Sequence, residues 1–447
     1  MASARRVGTV LILLLFLSCN KQSFSYAVLT HEQIVDLAWK DSIVPMLLSR
    51  YPNTTPVELE RARAYAYGGS AIQDSGYYPF GHPLFSDLTH YVRSGDFVAS
   101  LIRNSKNVYE LAFALGALSH YVGDNIGHHD AVNPSTAAVF PNLEEKYGPV
   151  VTYDESPHGH IRTEFAFDIN QLSKRRLAPS AYLSHVGLEV SPRLLEVAFF
   201  ETYGLHLSSV HIDRRAAVDT YRRAVRSFIP SIARAEVLLH RKDFPDDVES
   251  PEFDLYAQRV KEADATNGWE QYRKGKFSMK TRLLAFVIVI TPKVGVFSDL
   301  AIRGPNHETE AKYVESVNRS LDRYEQVLGY LTKNPKAEPG ITMKLENRDL
   351  DTGAKVRPGG YRLTDQTYAQ LLHKVTALGA PVPVTLKRDL LNYYADPAAP
   401  IATKKNPAAW KRVQEQLETL KTMPVIRRDF DPEDPAQPND GTANGSE

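Results

Sequence analysis

The chain has 447 residues, with 53 basic and 53 acidic side chains, a pI near 7.3 and one cysteine, Cys19. This balance gives no global pull toward nucleic acid or an anionic membrane. Once a leader containing Cys19 is removed there are no thiols, so any metal must be held by His, Asp, Glu and backbone groups.

Residues 1–25 read as a signal peptide. Arg5 and Arg6 supply the charged start, and VLILLLFL (10–17) is too short to span a bilayer. A cut before Tyr26 follows the small residues Ser23 and Ser25. Cleavage after Ala27, or a lipidated Cys19 after Phe16-Leu17-Ser18, are the alternatives. Residues 31–49 read as a helix kinked near Pro45. Residues 56–73 form a second helix, started by Pro56 and carrying Gly68-Gly69 in its C-terminal half. DSGYYPFGHP (74–83) reads as a loop. Helices are expected at 84–104 and 107–126, irregular chain at 130–157, a helix at 158–172, and amphipathic helices from 191 to 240.

Beyond 245, LLAFVIVI (283–290) is a short apolar run that fits buried core, as strand or helix. A helix is expected at 307–332, a Pro/Gly-punctuated boundary at 335–360, and helices at 364–378 and 407–421. The polar tail from 426 reads as disordered. The resulting division is a leader (1–25), an all-α catalytic bundle (26–245), a mostly helical extension (246–425) and the tail (426–447).

The chemistry concentrates early. Eight of the fourteen histidines lie between residues 31 and 160. In LAFALGALSHYVGDNIGHHDAVN (111–133), an Ala/Leu-rich run reads as a buried helix. It carries His120 and Asp124 one turn apart on the same side. His128 and His129 follow Gly127, where the helix should end. A buried imidazole–carboxylate pair is costly unless satisfied, and nitrogen plus oxygen donors suit zinc. A His-x-x-x-acid pair alone is weak evidence, and the chain has three: His120/Asp124, His160/Glu164 and His185/Glu189. The first two stand among apolar or aromatic neighbours with further histidines nearby. Asp74 adds a carboxylate at a helix-to-loop transition. Neither a G-x-S-x-G nor a P-loop pattern is present.

THEQIVDLAW, GGSAIQDSGYYPFG, FSDLTHYVRSGDFV, LSHYVGDNIGHHDAVN and HIRTEFAFDI, in that order, resemble the zinc-dependent phospholipase C superfamily, which also contains single-strand nucleases. The resemblance implies an all-α bundle holding three Zn2+ ions. One zinc would take the mature N-terminal residue, Tyr26, through its backbone, together with His31. Asp124 would bridge it to a second zinc held by Asp74, His90 and His120. A third would take His160, Glu164 and His128, with His129 as the alternative. Tyr26 stands where the family usually has Trp, but its ligand atoms are backbone. The histidine after Asp124 also stands closer to it than in the best-known members. Asp74 would orient the attacking water or accept its proton. His82 and His158 are read as supporting residues, and the remaining histidines as structural.

The implied activity is an exported phosphodiester hydrolase: a phospholipase C on glycerophospholipids, or a nuclease/3′-nucleotidase on the same metals, or a non-catalytic zinc protein. Transient contact with a membrane surface is expected, and no stable nucleic-acid partner. The aromatic loop Tyr77-Tyr78-Pro79-Phe80 is a candidate wall for an acyl or head-group pocket.

Overall fold

The computed structural model describes residues 28–77, 81–210, 247, 249–273, 304–334 and 345–426. The leader, Tyr26, residues 78–80, His211, His240, LLAFVIVI and the tail beyond 426 lie outside the described residues. The described chain is all-α. Its strands are Val382–Pro383 and Val425–Ile426, paired in parallel, with one antiparallel bridge between Arg348 and Lys355. No described helix is long and apolar enough to cross a membrane.

The helices in order are α1 (Val28–Ala38), α2 (Val44–Arg50), α3 (Pro56–Ser70), α4 (Pro83–Tyr91), α5 (Ser94–Arg103), α6 (Val108–Gly127), α7 (Asn133–Val139), α8 (Pro141–Tyr147), α9 (Pro157–Ser173), α10 (Ser180–Val186) and α11 (Pro192–Tyr203). Then come α12 (Pro251–Asn267), α13 (His307–Lys333), α14 (Arg362–Leu378), α15 (Val384–Tyr393) and α16 (Pro407–Thr422). Starts follow the capping rules: Thr55 and Glu58 form a capping box on α3, and Asn107 accepts from Tyr109 and Glu110 at the start of α6.

α6 is buried almost all round, as a helix apolar on every face must be, and α1, α2, α3, α5 and α13 pack against it. Its contact with α3 is backbone on backbone. A Cβ on Gly69 would meet the Phe113 carbonyl oxygen at 1.9 Å, and one on Gly116 would meet that of Ala66 at 2.0 Å. Gly69 of α3 and Gly116 of α6 therefore permit a close crossing.

Several boundaries differ from the sequence reading. The kink at Pro45 is a π-turn, Trp39–Ile43, before a continuing helix. The same device recurs at His128–Val132, two residues before Pro134, so the helix does not end at Gly127. In both places a proline follows that cannot donate its N–H, and an i→i+5 bond replaces the ordinary ladder: Val44 N–H to the Trp39 carbonyl, Asn133 N–H to that of His128. The stretch 130–157, expected to be irregular, contains α7 and α8. The expected helix 84–104 is broken at Arg93, which sits at φ 51° and donates to the Thr202 carbonyl at 2.6 Å and to Asp96 at 2.9 Å.

α13 is built into the core. Tyr313 Oη lies 3.0 Å from Thr30 Oγ1, and Tyr324 donates to the Leu115 carbonyl. The buried Glu310 accepts from Asn170 and Lys174 of α9 and its C-terminal cap. Of the stretch 335–360, read as a boundary, residues 335–344 lie outside the described residues, and 345–360 lie along the ends of α4, α5 and α6. Tyr121 donates to the Glu346 carbonyl, Ser94 to that of Arg348, and the Leu350 N–H to that of His90.

Candidate metal centre

The helices bring eight predicted residues together. His31 comes from α1, and Asp74 from the 3₁₀ turn Ile72–Tyr77. His90 ends α4, His120 and Asp124 lie on α6, His128 opens the second π-turn, and His160 and Glu164 lie on α9. Each is at most 3% exposed. The ninth, Tyr26, lies outside the described residues.

Asp124 is the hub. Its Oδ1 is 3.2 Å from His31 Nε2 and 3.7 Å from His128 Nε2; its Oδ2 is 3.0 Å from His120 Nε2 and 3.3 Å from His90 Nε2. Asp74 Oδ1 is 3.3 Å from His90 Nε2. Glu164 Oε1 joins the remaining pair, 2.9 Å from His128 Nε2 and 3.1 Å from His160 Nε2. The rings of His31 and His120 stack with centroids 4.1 Å apart.

The second ring nitrogens fix the tautomers. His120 Nδ1 meets the Ser70 carbonyl at 2.9 Å, His90 Nδ1 that of Ser86 at 2.7 Å, and His128 Nδ1 that of Leu350 at 2.9 Å. A carbonyl only accepts, so each Nδ1 donates. In its neutral form each of these rings turns an unprotonated Nε2 toward the cluster, as a metal ligand must.

Burial and mutual charge shift the titration of the cluster. Burial lowers His31, with His120 adding to it, lowers His128 to about 4, and lowers His160 well below the ordinary histidine range. Burial also acts on His90, but Asp124 and Asp74 outweigh it and lift the ring to about 10. Burial opposes ionisation of Asp124 as well, yet His120, His128 and His31 hold its carboxyl well below the usual range. Burial, with Asp124, Asp74 and Asp351 nearby, pushes Glu164 far up. Both Asp74 oxygens, Glu164 Oε2 and His160 Nδ1 are buried without a hydrogen-bond partner among the described residues. Orphaned carboxylate oxygens beside inward-facing imidazoles fit divalent metal. Three groups have ligand atoms all within 4.8 Å of one another: His31/His120/Asp124, Asp74/His90/His120 and His128/His160/Asp351.

Of the two adjacent histidines, His128 is in the cluster, whereas the His129 side chain is 69% exposed. His82 caps α4, accepting from the Leu84 N–H, and His158 is exposed. His185 pairs with Glu60 at 3.4 Å, and His206 with Glu196 at 2.8 Å. Tyr77, from the aromatic loop, donates to Asp87 and lies 5.7 Å from the His90 ring. Asp351 and the Leu350 carbonyl were missed: they lie in a stretch with no histidine and no family wording, and their nearest signal is the turn sequence DLDTG.

Residues 30–213 match the model of a family described as zinc dependent phospholipase C. Neither the curated proteins nor the solved structures hold a match to this chain.

Proposed function

Residues 30–213 belong to the zinc-dependent phospholipase C family, and from that premise we propose that the chain is an exported zinc hydrolase cleaving glycerophospholipids on the glycerol side of phosphate. The products are diacylglycerol and a phosphorylated head group. The observation that carries this reading is Asp124, whose two carboxylate oxygens face four imidazoles from separate parts of the fold within 3.7 Å. A carboxylate so surrounded is suited to bridging two cations.

In this proposal three zinc ions would be held. His31, Asp124 and the backbone of Tyr26 would hold one. Asp74, His90, His120 and Asp124 would hold the second; His128, His160 and Glu164 the third. Zinc would supply Lewis acidity there, toward a phosphoryl oxygen and toward water. The chain's own groups supply positioning. Carbonyls of Ser70, Ser86 and Leu350 hold three imidazoles in the ligand tautomer. Asp74, with Oδ2 buried and unpartnered among the described residues, is the proposed acceptor of the attacking water's proton. The water oxygen bonds to phosphorus as the P–O bond to glycerol breaks, and the proton passes from Asp74 to the leaving oxygen. Cleavage before Tyr26 belongs to the same proposal, because it frees the amino group five residues before His31.

The test uses the exported, mature protein. Native mass spectrometry reads its N-terminus and zinc number, and hydrolysis is followed on phosphatidylcholine vesicles and on single-stranded DNA. The expected result is a chain starting at Tyr26 with three zincs, releasing diacylglycerol. Cleavage of DNA alone overturns the lipid assignment in favour of a nuclease. Bound zinc with no turnover on either substrate overturns the hydrolase.

A further inference from the structure

We infer that Asp351, far outside the matched segment, is a positioning residue for His160, and that residues 345–361 are a working part of the metal centre. This inference rests on the zinc reading above.

The four clustered histidines of α4, α6, the π-turn and α9 share one requirement. A ligating imidazole needs an acceptor on its far nitrogen. His90, His120 and His128 each have a backbone carbonyl there. His160 has none: its Nε2 faces Glu164, and its Nδ1 is buried without a hydrogen bond among the described residues. The carboxylate facing that nitrogen is Asp351, with Oδ1 3.8 Å from Nδ1. This is longer than a hydrogen bond, and on this inference the two groups draw together when the third metal group is loaded.

Asp351 is itself held in place. Its Oδ2 accepts from the Tyr153 N–H at 3.0 Å and from the Tyr361 hydroxyl, while its carbonyl accepts from Asn133 at 2.7 Å. The preceding residue touches two more ring-bearing positions: Leu350 accepts from His128 Nδ1 and donates to the His90 carbonyl. The segment is fitted to the bundle as well as bonded to it. A Cβ on Gly95 would lie 2.5 Å from the carbonyl oxygens of both Leu345 and Glu346. One on Gly353, which sits at φ +68°, would lie 2.4 Å from that of Asn125. The loop thus reaches the backs of two imidazoles at the third metal group, with the Leu350 carbonyl bonded to one and the Asp351 carboxylate facing the other.

The test compares the full-length parent with Asp351→Ala and Asp351→Asn. Metal-free protein is titrated with zinc against a competing chelator, with native mass spectrometry for stoichiometry. The visible spectrum of the cobalt-loaded protein reports the coordination sphere. The alanine variant should weaken one zinc about 10–100-fold and leave the other two as in the parent. The asparagine variant, whose amide oxygen still accepts from Nδ1–H, should recover much of that loss, with cobalt bands at saturation like the parent's. Equal affinity in parent and alanine variant overturns the inference. So does parallel weakening of all zincs with a collapsed metal-free melting transition in both variants, which marks a structural role alone. A changed cobalt coordination number in the asparagine variant also overturns it, and makes Asp351 a direct ligand. A parent that binds no zinc overturns the functional reading itself; a zinc-binding parent with insensitive variants overturns only this inference.

Discussion

Gly116→Ala is a sharp test of how the fold holds the centre, because local and tertiary effects have opposite signs. By helix propensity alone, alanine in mid-helix is worth about 1 kcal/mol over glycine. Here the new Cβ would lie 2.0 Å from the Ala66 carbonyl oxygen and 2.8 Å from the Ser70 nitrogen. A carbon–oxygen contact keeps about 3.3 Å, so α3 and α6 must part by roughly 1.3 Å. Both obstructing atoms are backbone, and no side-chain rotation relieves them. Overpacking of this kind costs about 3 kcal/mol, leaving a net loss of about 2 kcal/mol. For a cooperative unit of roughly 200 residues this is a fall of about 4–8 °C in Tm. The parting also acts on the site: His120 lies one turn beyond Gly116, and its Nδ1 bond to the Ser70 carbonyl is 2.9 Å long. An extra ångström breaks that bond, and zinc affinity should fall about 10–100-fold. The assay is thermal unfolding of metal-free protein, with zinc affinity measured separately by chelator competition. An unchanged or raised Tm refutes the close-crossing argument. A lowered Tm with parental zinc affinity refutes the link between the crossing and His120.

His128→Ala should remove one zinc in native mass spectra and abolish most hydrolysis, while His129→Ala, at an exposed position, should keep the parental zinc number and a stability within about 0.5 kcal/mol; the reverse pattern exchanges the two residues. Asp36 is lifted to about 7 by burial, against the opposing effects of Arg63 and the Tyr67 hydroxyl. A carboxyl with a raised folded-state pKa gives stability that is whole below about pH 3.8 and lost as pH rises through 7. Asp36→Asn should therefore raise the Tm of metal-free protein more at pH 8.5 than at pH 5, and an equal offset at both pH values counts against the buried-carboxyl account.

What could be read from the sequence follows the range of the interactions. His120/Asp124 and His160/Glu164 are i, i+4 pairs on helices whose apolar pattern is local, so their shared faces were legible. The all-α class and the limits of α9, α13, α14 and α16 were legible for the same reason. The break at Arg93 was not, because a left-handed non-glycine residue is held there by bonds to Thr202, over a hundred positions away, and to Asp96. The π-turns were half legible: Pro45 and Pro134 signal an interruption, but not that the helix absorbs it by widening. Gly68-Gly69 could be placed in the C-terminal half of a helix but not recognised as its contact surface, because the obstructing backbone belongs to Phe113 and Glu189. Asp351 had no local signature, since its meaning depends on a partner, His160, on the other side of the chain's midpoint.

The docking of α13 and of residues 345–361 into the early helices sets an order of events during synthesis. Thr30 waits for Tyr313, His128 for Leu350 and His160 for Asp351. About 190 residues separate Glu164 from Asp351, which a ribosome adds in roughly 10–40 s at about 5–20 residues per second. For that interval the imidazoles of the third metal group exist in the nascent chain without the acceptors that orient two of them. Non-local closure of this kind slows folding, because loop entropy is lost before the contacts form. A centre that draws acceptors from both ends of the described chain can close only after residue 351 has been made, so its assembly marks the completion of the fold rather than its start.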